Sequence, residues 1–121
     1  MKIEAIKQHI GARVELQRDR LGDPEVGKEL LAHLDTYGML VFPKLGVTDE
    51  EQLALTDSLG GRVNFFKHVE AGQGGTEGIY RISLDEKVTT QNEYIKGNYF
   101  WHMDGMIVKE QPPRASLLSA R

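Results

Sequence analysis

Apolar residues at Val26, Leu30, Leu31, Leu34 and Tyr37 recur at helical spacing. Asp23 and Pro24 precede them and Gly38 follows. Aspartate is a good N-cap, proline suits the first helical position and glycine a left-handed stop, so this stretch predicts a helix. A second helix is predicted from about Asp49 to Leu59, where Thr48 and Glu51 have capping-box spacing and Leu53, Leu55 and Leu59 precede Gly60-Gly61. Short apolar alternation around Gly11 predicts a strand pair within Lys2 to Leu16. The apolar run Met39 to Phe42, stopped by Pro43, predicts a buried strand.

After Gly61 the pattern changes. Glycines 72, 74, 75 and 78 form one loop, and Tyr80, Ile82 and Leu84 then alternate with Arg81 and Ser83, which is strand chemistry. A polar stretch, Asp85 to Gly97, leads into the aromatic-rich segment Asn98 to Asp104, which reads as extended. Ala115 to Ala120 offers a last short strand after Pro112-Pro113. Helices early and strands late predict an α+β domain whose later part belongs to an antiparallel sandwich or barrel.

Composition narrows the function classes. The 121 residues suit one globular domain with its own core, and no repeat or low-complexity linker divides them. The four-residue run at Met39 falls far short of the roughly 20 apolar residues a membrane span needs. A net charge of -3 argues against nucleic acid and anionic membrane as partners. The absence of cysteine removes disulfides and thiolate metal sites, and together with an N-terminus that lacks a signal-peptide core it fits a cytoplasmic protein. The glycine loop lacks Gly-Lys-Ser/Thr and precedes a strand, so it is not read as a phosphate-binding loop.

Three of the four histidines stand two residues before an acid: His33-Leu34-Asp35, His68-Val69-Glu70 and His102-Met103-Asp104. With 18 acidic residues available the pairing alone is a weak signal. Geometry separates the three. Positions i and i+2 lie about 200° apart on a helix, so His33 and Asp35 cannot close on one ion. His68 and Glu70 border the glycine loop and lack a rigid frame. On a strand the same spacing puts both side chains on one face about 6.6 Å apart. That pattern suits either a solvent-facing strand or a metal pair at His102 and Asp104. Large apolar groups on both faces, Phe100 and Met106 on one and Tyr99, Trp101 and Met103 on the other, predict a strand covered on both sides, where a His and an Asp need a bound partner. A His, a carboxylate and a further His form the facial triad of non-haem Fe(II) oxygenases, whereas structural zinc is usually closed by four ligands, often cysteine. Iron is favoured over zinc.

The run Asn98-Tyr99-Phe100-Trp101-His102-Met103-Asp104-Gly105, followed by Glu110-Gln111-Pro112-Pro113-Arg114-Ala115-Ser116-Leu117-Leu118, resembles the taurine dioxygenase/TfdA-like family of Fe(II)/2-oxoglutarate-dependent dioxygenases. Gly38 to Phe42 and Leu59-Gly60-Gly61 are similar to upstream segments of that family. The resemblance implies N-terminal helices with part of a double-stranded β-helix, a jelly-roll, cupin-like domain. It implies His102 and Asp104 as Fe(II) ligands and catalytic residues, Asn98 at the substrate and co-substrate site, and Trp101 beside it, packing to position the strand. Asp85 to Gly97 is then a candidate lid. The implied reaction hydroxylates a small organic substrate, such as a carboxylate or sulfonate, while 2-oxoglutarate and O₂ become succinate and CO₂. The family's second His and its 2-oxoglutarate-binding Arg lie far downstream of the first pair, so residues 1–121 are expected to be the N-terminal portion of such a domain.

A different class of function stays open at this point: a non-catalytic metal- or small-molecule-binding half-domain, completed as a homo-oligomer through an open strand edge.

Overall fold

In the computed structural model of the chain, residues 1–63, 76–83, 85, 87, 95–105 and 112–120 are described. They fall into two compact units, Met1–Arg62 with Leu117–Arg121, and Val63–Ser116.

The first unit is a three-stranded sheet carrying two helices. Strand β1 (Lys2–Ala5) pairs antiparallel with β2 (Ala12–Glu15), Ile3 opposite Val14, as the alternation around Gly11 predicts. Alternate residues of β2, Ala12 and Val14, are buried. Helix α1 (Pro24–Tyr37) carries the chain from β2 to β3 (Leu40–Val41), which pairs parallel with β2, and a parallel pair requires such a crossover. The Asp23 carboxylate accepts the Glu25 N–H at 2.9 Å, and the Gly38 N–H donates to the Leu34 carbonyl at 2.7 Å. Gly38 sits at φ 69°, a left-handed position where a side chain would be strained. Both ends of α1 are those expected from the sequence.

Helix α2 (Asp49–Leu59) also begins as predicted. The Glu51 N–H donates to the Thr48 hydroxyl at 3.2 Å, and the Thr48 N–H donates to the Glu51 carboxylate at 2.7 Å. The Arg18 guanidinium, on a short 3₁₀ turn over Arg18–Arg20, binds both oxygens of the same carboxylate and ties that turn to the start of α2. Arg18 and the Thr48 N–H together hold the Glu51 carboxyl below its usual range.

Val14, Leu21, Val26, Leu30 and Leu55 form the core, flanked by Leu40, Phe42 and Leu117. The helices meet at Gly27, where a Cβ would lie 2.5 Å from the Ser58 carbonyl carbon and overlap the carbonyl oxygen outright.

Three expectations change. The strand at 39–42 shrinks to two residues and is not buried: Leu40 is half-buried and Val41 exposed, because among the described residues β3 has β2 on one side only and Pro43 soon follows. Residues 80–83 are irregular, with Ile82 exposed, and Leu84 lies outside the described residues. Among the described residues, 115–120 pair with no strand; the segment is held instead by Leu117, which packs on the core and accepts the Gln52 side-chain N–H at 3.3 Å. Among the described residues no strand follows Val41, and the α+β class is carried by the N-terminal sheet and helices.

Candidate functional site

The segment carrying His102 belongs to the second unit. It starts with a 3₁₀ turn over Gly97–Tyr99, closed by the Phe100 N–H on the Gly97 carbonyl at 3.1 Å, continues without ladder pairing, and turns again at Asp104-Gly105. A strand covered on both faces was expected from the alternating aromatics. Tyr99, Phe100 and Met103 are instead largely exposed and Trp101 wholly so. Alternation of large groups produces burial only where neighbouring strands supply a ladder and a covering layer, and the described residues supply neither.

Local hydrogen bonds do the positioning that a ladder would have done. His102 Nδ1 lies 2.8 Å from the Phe100 carbonyl oxygen. A carbonyl can only accept, so Nδ1 carries a proton, and in the neutral ring the lone pair then lies on Nε2. Nε2 lies 3.6 Å from Asp104 Oδ1, too long for a hydrogen bond. The other oxygen of Asp104, Oδ2, accepts the Ser116 hydroxyl at 2.5 Å. A lone pair and a carboxylate oxygen thus face each other with their remaining atoms engaged elsewhere. Metal bonds of about 2.1 Å can join donors up to about 4.2 Å apart, so one ion can bridge this gap. Nitrogen and oxygen donors without sulfur suit a first-row divalent metal such as Fe(II). Both side chains are about half exposed, 47% and 53%, which leaves ligand positions open to other groups.

Among the described residues no three His, Asp or Glu side chains come together. His33 lies on α1, 3.8 Å from the Glu29 carboxylate and stacked on Tyr37, in keeping with the helical geometry that separates it from Asp35 as a ligand. His68 and Glu70 lie outside the described residues, as does most of the candidate lid at 85–97. Asn98 sits in the 3₁₀ turn, four positions before His102. Arg62 is engaged by the Asp57 carboxylate through two nitrogens and lowers its pKa. Ser116 received no role from the sequence. The only signal was a hydroxyl within the apolar run Ala115 to Leu118. A cleft of about 810 Å³ opens in the first unit beside Arg13, Phe42 and Lys44, and none of the predicted site residues lines it.

A family model described as "Taurine catabolism dioxygenase TauD, TfdA family" matches residues 2–121. No curated protein and no solved structure matches the chain.

Proposed function

The chain belongs to the taurine catabolism dioxygenase TauD, TfdA family, and from that premise we propose that it serves an Fe(II)/2-oxoglutarate-dependent dioxygenase that hydroxylates a small organic substrate, a carboxylate or sulfonate, in the cytoplasm. The observation that carries this reading is the His102 Nε2 lone pair facing Asp104 Oδ1 at 3.6 Å, with Nδ1 turned to the Phe100 carbonyl. His102 and Asp104 would hold the iron. When bound, the iron supplies the redox chemistry that couples O₂ to 2-oxoglutarate and to a substrate C–H bond. The Phe100 carbonyl keeps His102 in the tautomer that can ligate. Among the described residues no third His, Asp or Glu joins the pair, and the jelly-roll that would enclose the site is part of the same reading. Asn98, in the turn that launches the segment, and Trp101, next to the ligand, are assigned to the substrate side of the site.

The test is 2-oxoglutarate turnover by the protein that contains residues 1–121. Succinate should form only with Fe(II) and be lost in His102→Ala and in Asp104→Ala. Undiminished Fe(II)-dependent succinate formation in either variant overturns the assignment.

A second reading, a binding half-domain completed as a homo-oligomer, is favoured by one observation. Tyr99, Phe100, Trp101 and Met103 are consecutive or nearly so and all exposed, and clustered apolar exposure of this kind marks interaction surfaces. Sedimentation that finds only monomer at high protein concentration would remove it.

A further inference from the structure

We infer that Ser116 is a positioning residue for the Asp104 carboxylate, setting which oxygen it turns toward His102. The inference rests on the metal-binding reading of His102 and Asp104. A carboxylate ends in a torsion that is broad and roughly two-fold, so either oxygen can face either way at little cost. Asp104 is about half exposed, and water competes for both oxygens. The Ser116 hydroxyl, 2.5 Å from Oδ2, makes the short charge-assisted type of hydrogen bond and removes that freedom. Oδ1 is left as the oxygen facing Nε2.

The two ligands are therefore oriented by different means. His102 is held by a backbone carbonyl, which no side-chain substitution removes. Asp104 is held by a side chain twelve positions on, just after Pro112-Pro113, whose rings restrict the backbone that delivers it. Ser116 has no place at the metal itself in this arrangement. It acts through Asp104, so its effect should vanish when Asp104 is gone.

The test is Mn(II) titration of the 121-residue chain, followed by the electron paramagnetic resonance signal of the free ion, for the parent and for Ser116→Ala, Ser116→Thr, His102→Ala, Asp104→Ala and Ser116→Ala/Asp104→Ala. Loss of an outer partner to a ligand typically weakens metal affinity about 10- to 100-fold, which is the loss expected for Ser116→Ala. Ser116→Thr, which keeps the hydroxyl, should bind like the parent. In the Asp104→Ala background Ser116→Ala should add nothing, whereas a merely structural role would add its loss again. If His102→Ala and Asp104→Ala weaken binding but Ser116→Ala does not, the role of Ser116 is refuted and the metal pair stands. Equal losses in Ser116→Ala and Ser116→Thr refute it too. If the parent does not bind Mn(II), or the ligand variants bind as well as the parent, the metal reading falls and the inference with it.

Discussion

Gly27→Ala opposes two effects whose sizes can be compared. In an exposed helix interior, alanine in place of glycine stabilises by about 1 kcal/mol. Gly27 is buried in α1, and a methyl there would overlap the Ser58 carbonyl oxygen and lie 2.8 Å from Ser58 Oγ. The obstacle is α2 backbone, so no rotamer change relieves it. Restoring ordinary contact requires the helices to part by roughly 1 Å, and a gap of that size forfeits a quarter to a half of the dispersion energy of each contact across it. Val26, Leu30 and Leu55 are the core residues at stake. Overpacking of this kind costs about 1–3 kcal/mol, or more where the backbone is the obstacle, and outweighs the helix-propensity gain. The expected net effect is a loss of about 2 kcal/mol, roughly a 30-fold shift toward the unfolded state. Urea unfolding followed by helical circular dichroism suits the measurement, because α1 and α2 both lie in the first unit. Gly22→Ala is the control. Its Cβ would meet only the Ala54 methyl at 3.5 Å, an ordinary contact, so its stability should match or slightly exceed the parent's. A Gly27→Ala chain as stable as Gly22→Ala would refute the close helix crossing.

Acid should weaken the first unit through Glu51. Its folded pKa is depressed, by Arg18 first and the Thr48 N–H second, so the contribution is present above the unfolded value of about 4.3 and lost as pH falls through the folded value. The urea midpoint of Glu51→Gln should therefore change less between pH 7 and pH 3 than that of the parent, and equal slopes would contradict the Arg18–Glu51 linkage. Trp101→Ser should leave stability within about 0.5 kcal/mol, as for other fully exposed positions, and should reduce any self-association seen by sedimentation. A stability loss of several kcal/mol would instead restore the two-sided buried strand.

Where side chains and backbone satisfy each other within a few residues, the sequence carried most of the information. Asp23-Pro24, Gly38 and the Thr48/Glu51 box mark both ends of α1 and the start of α2, because each terminus needs a specific partner for its unpaired N–H or C=O groups. Gly11 between two alternating runs likewise marked β1 and β2. Failure set in where structure depends on distant partners. The Tyr80 to Leu84 alternation states what a strand would look like if something paired with it, and alternation cannot say whether anything does. Leu117 shows the reverse case. Its neighbours suggested a strand, yet its place is decided by the α2 side chain Gln52 and by the apolar core, 65 positions away in the case of Gln52.

The His102/Asp104 pair stands in an environment other than the one its sequence pattern predicts. Two-sided burial was the argument for a bound partner, and the segment is exposed. Yet exposure does not return the pair to an ordinary solvated face. On such a face a histidine and an aspartate two residues apart would either hydrogen-bond to each other or point freely into water. Here Nδ1 is taken by Phe100 and Oδ2 by Ser116, and the two atoms left over, Nε2 and Oδ1, stand 3.6 Å apart. Burial would have made an unpaired pair expensive; orientation makes the same pair specific. Spacing could reveal only that His102 and Asp104 are close along the chain. Which nitrogen and which oxygen face each other depends on a backbone carbonyl two residues before the histidine and on a hydroxyl twelve residues after the aspartate, and no local pattern in the sequence encodes either one.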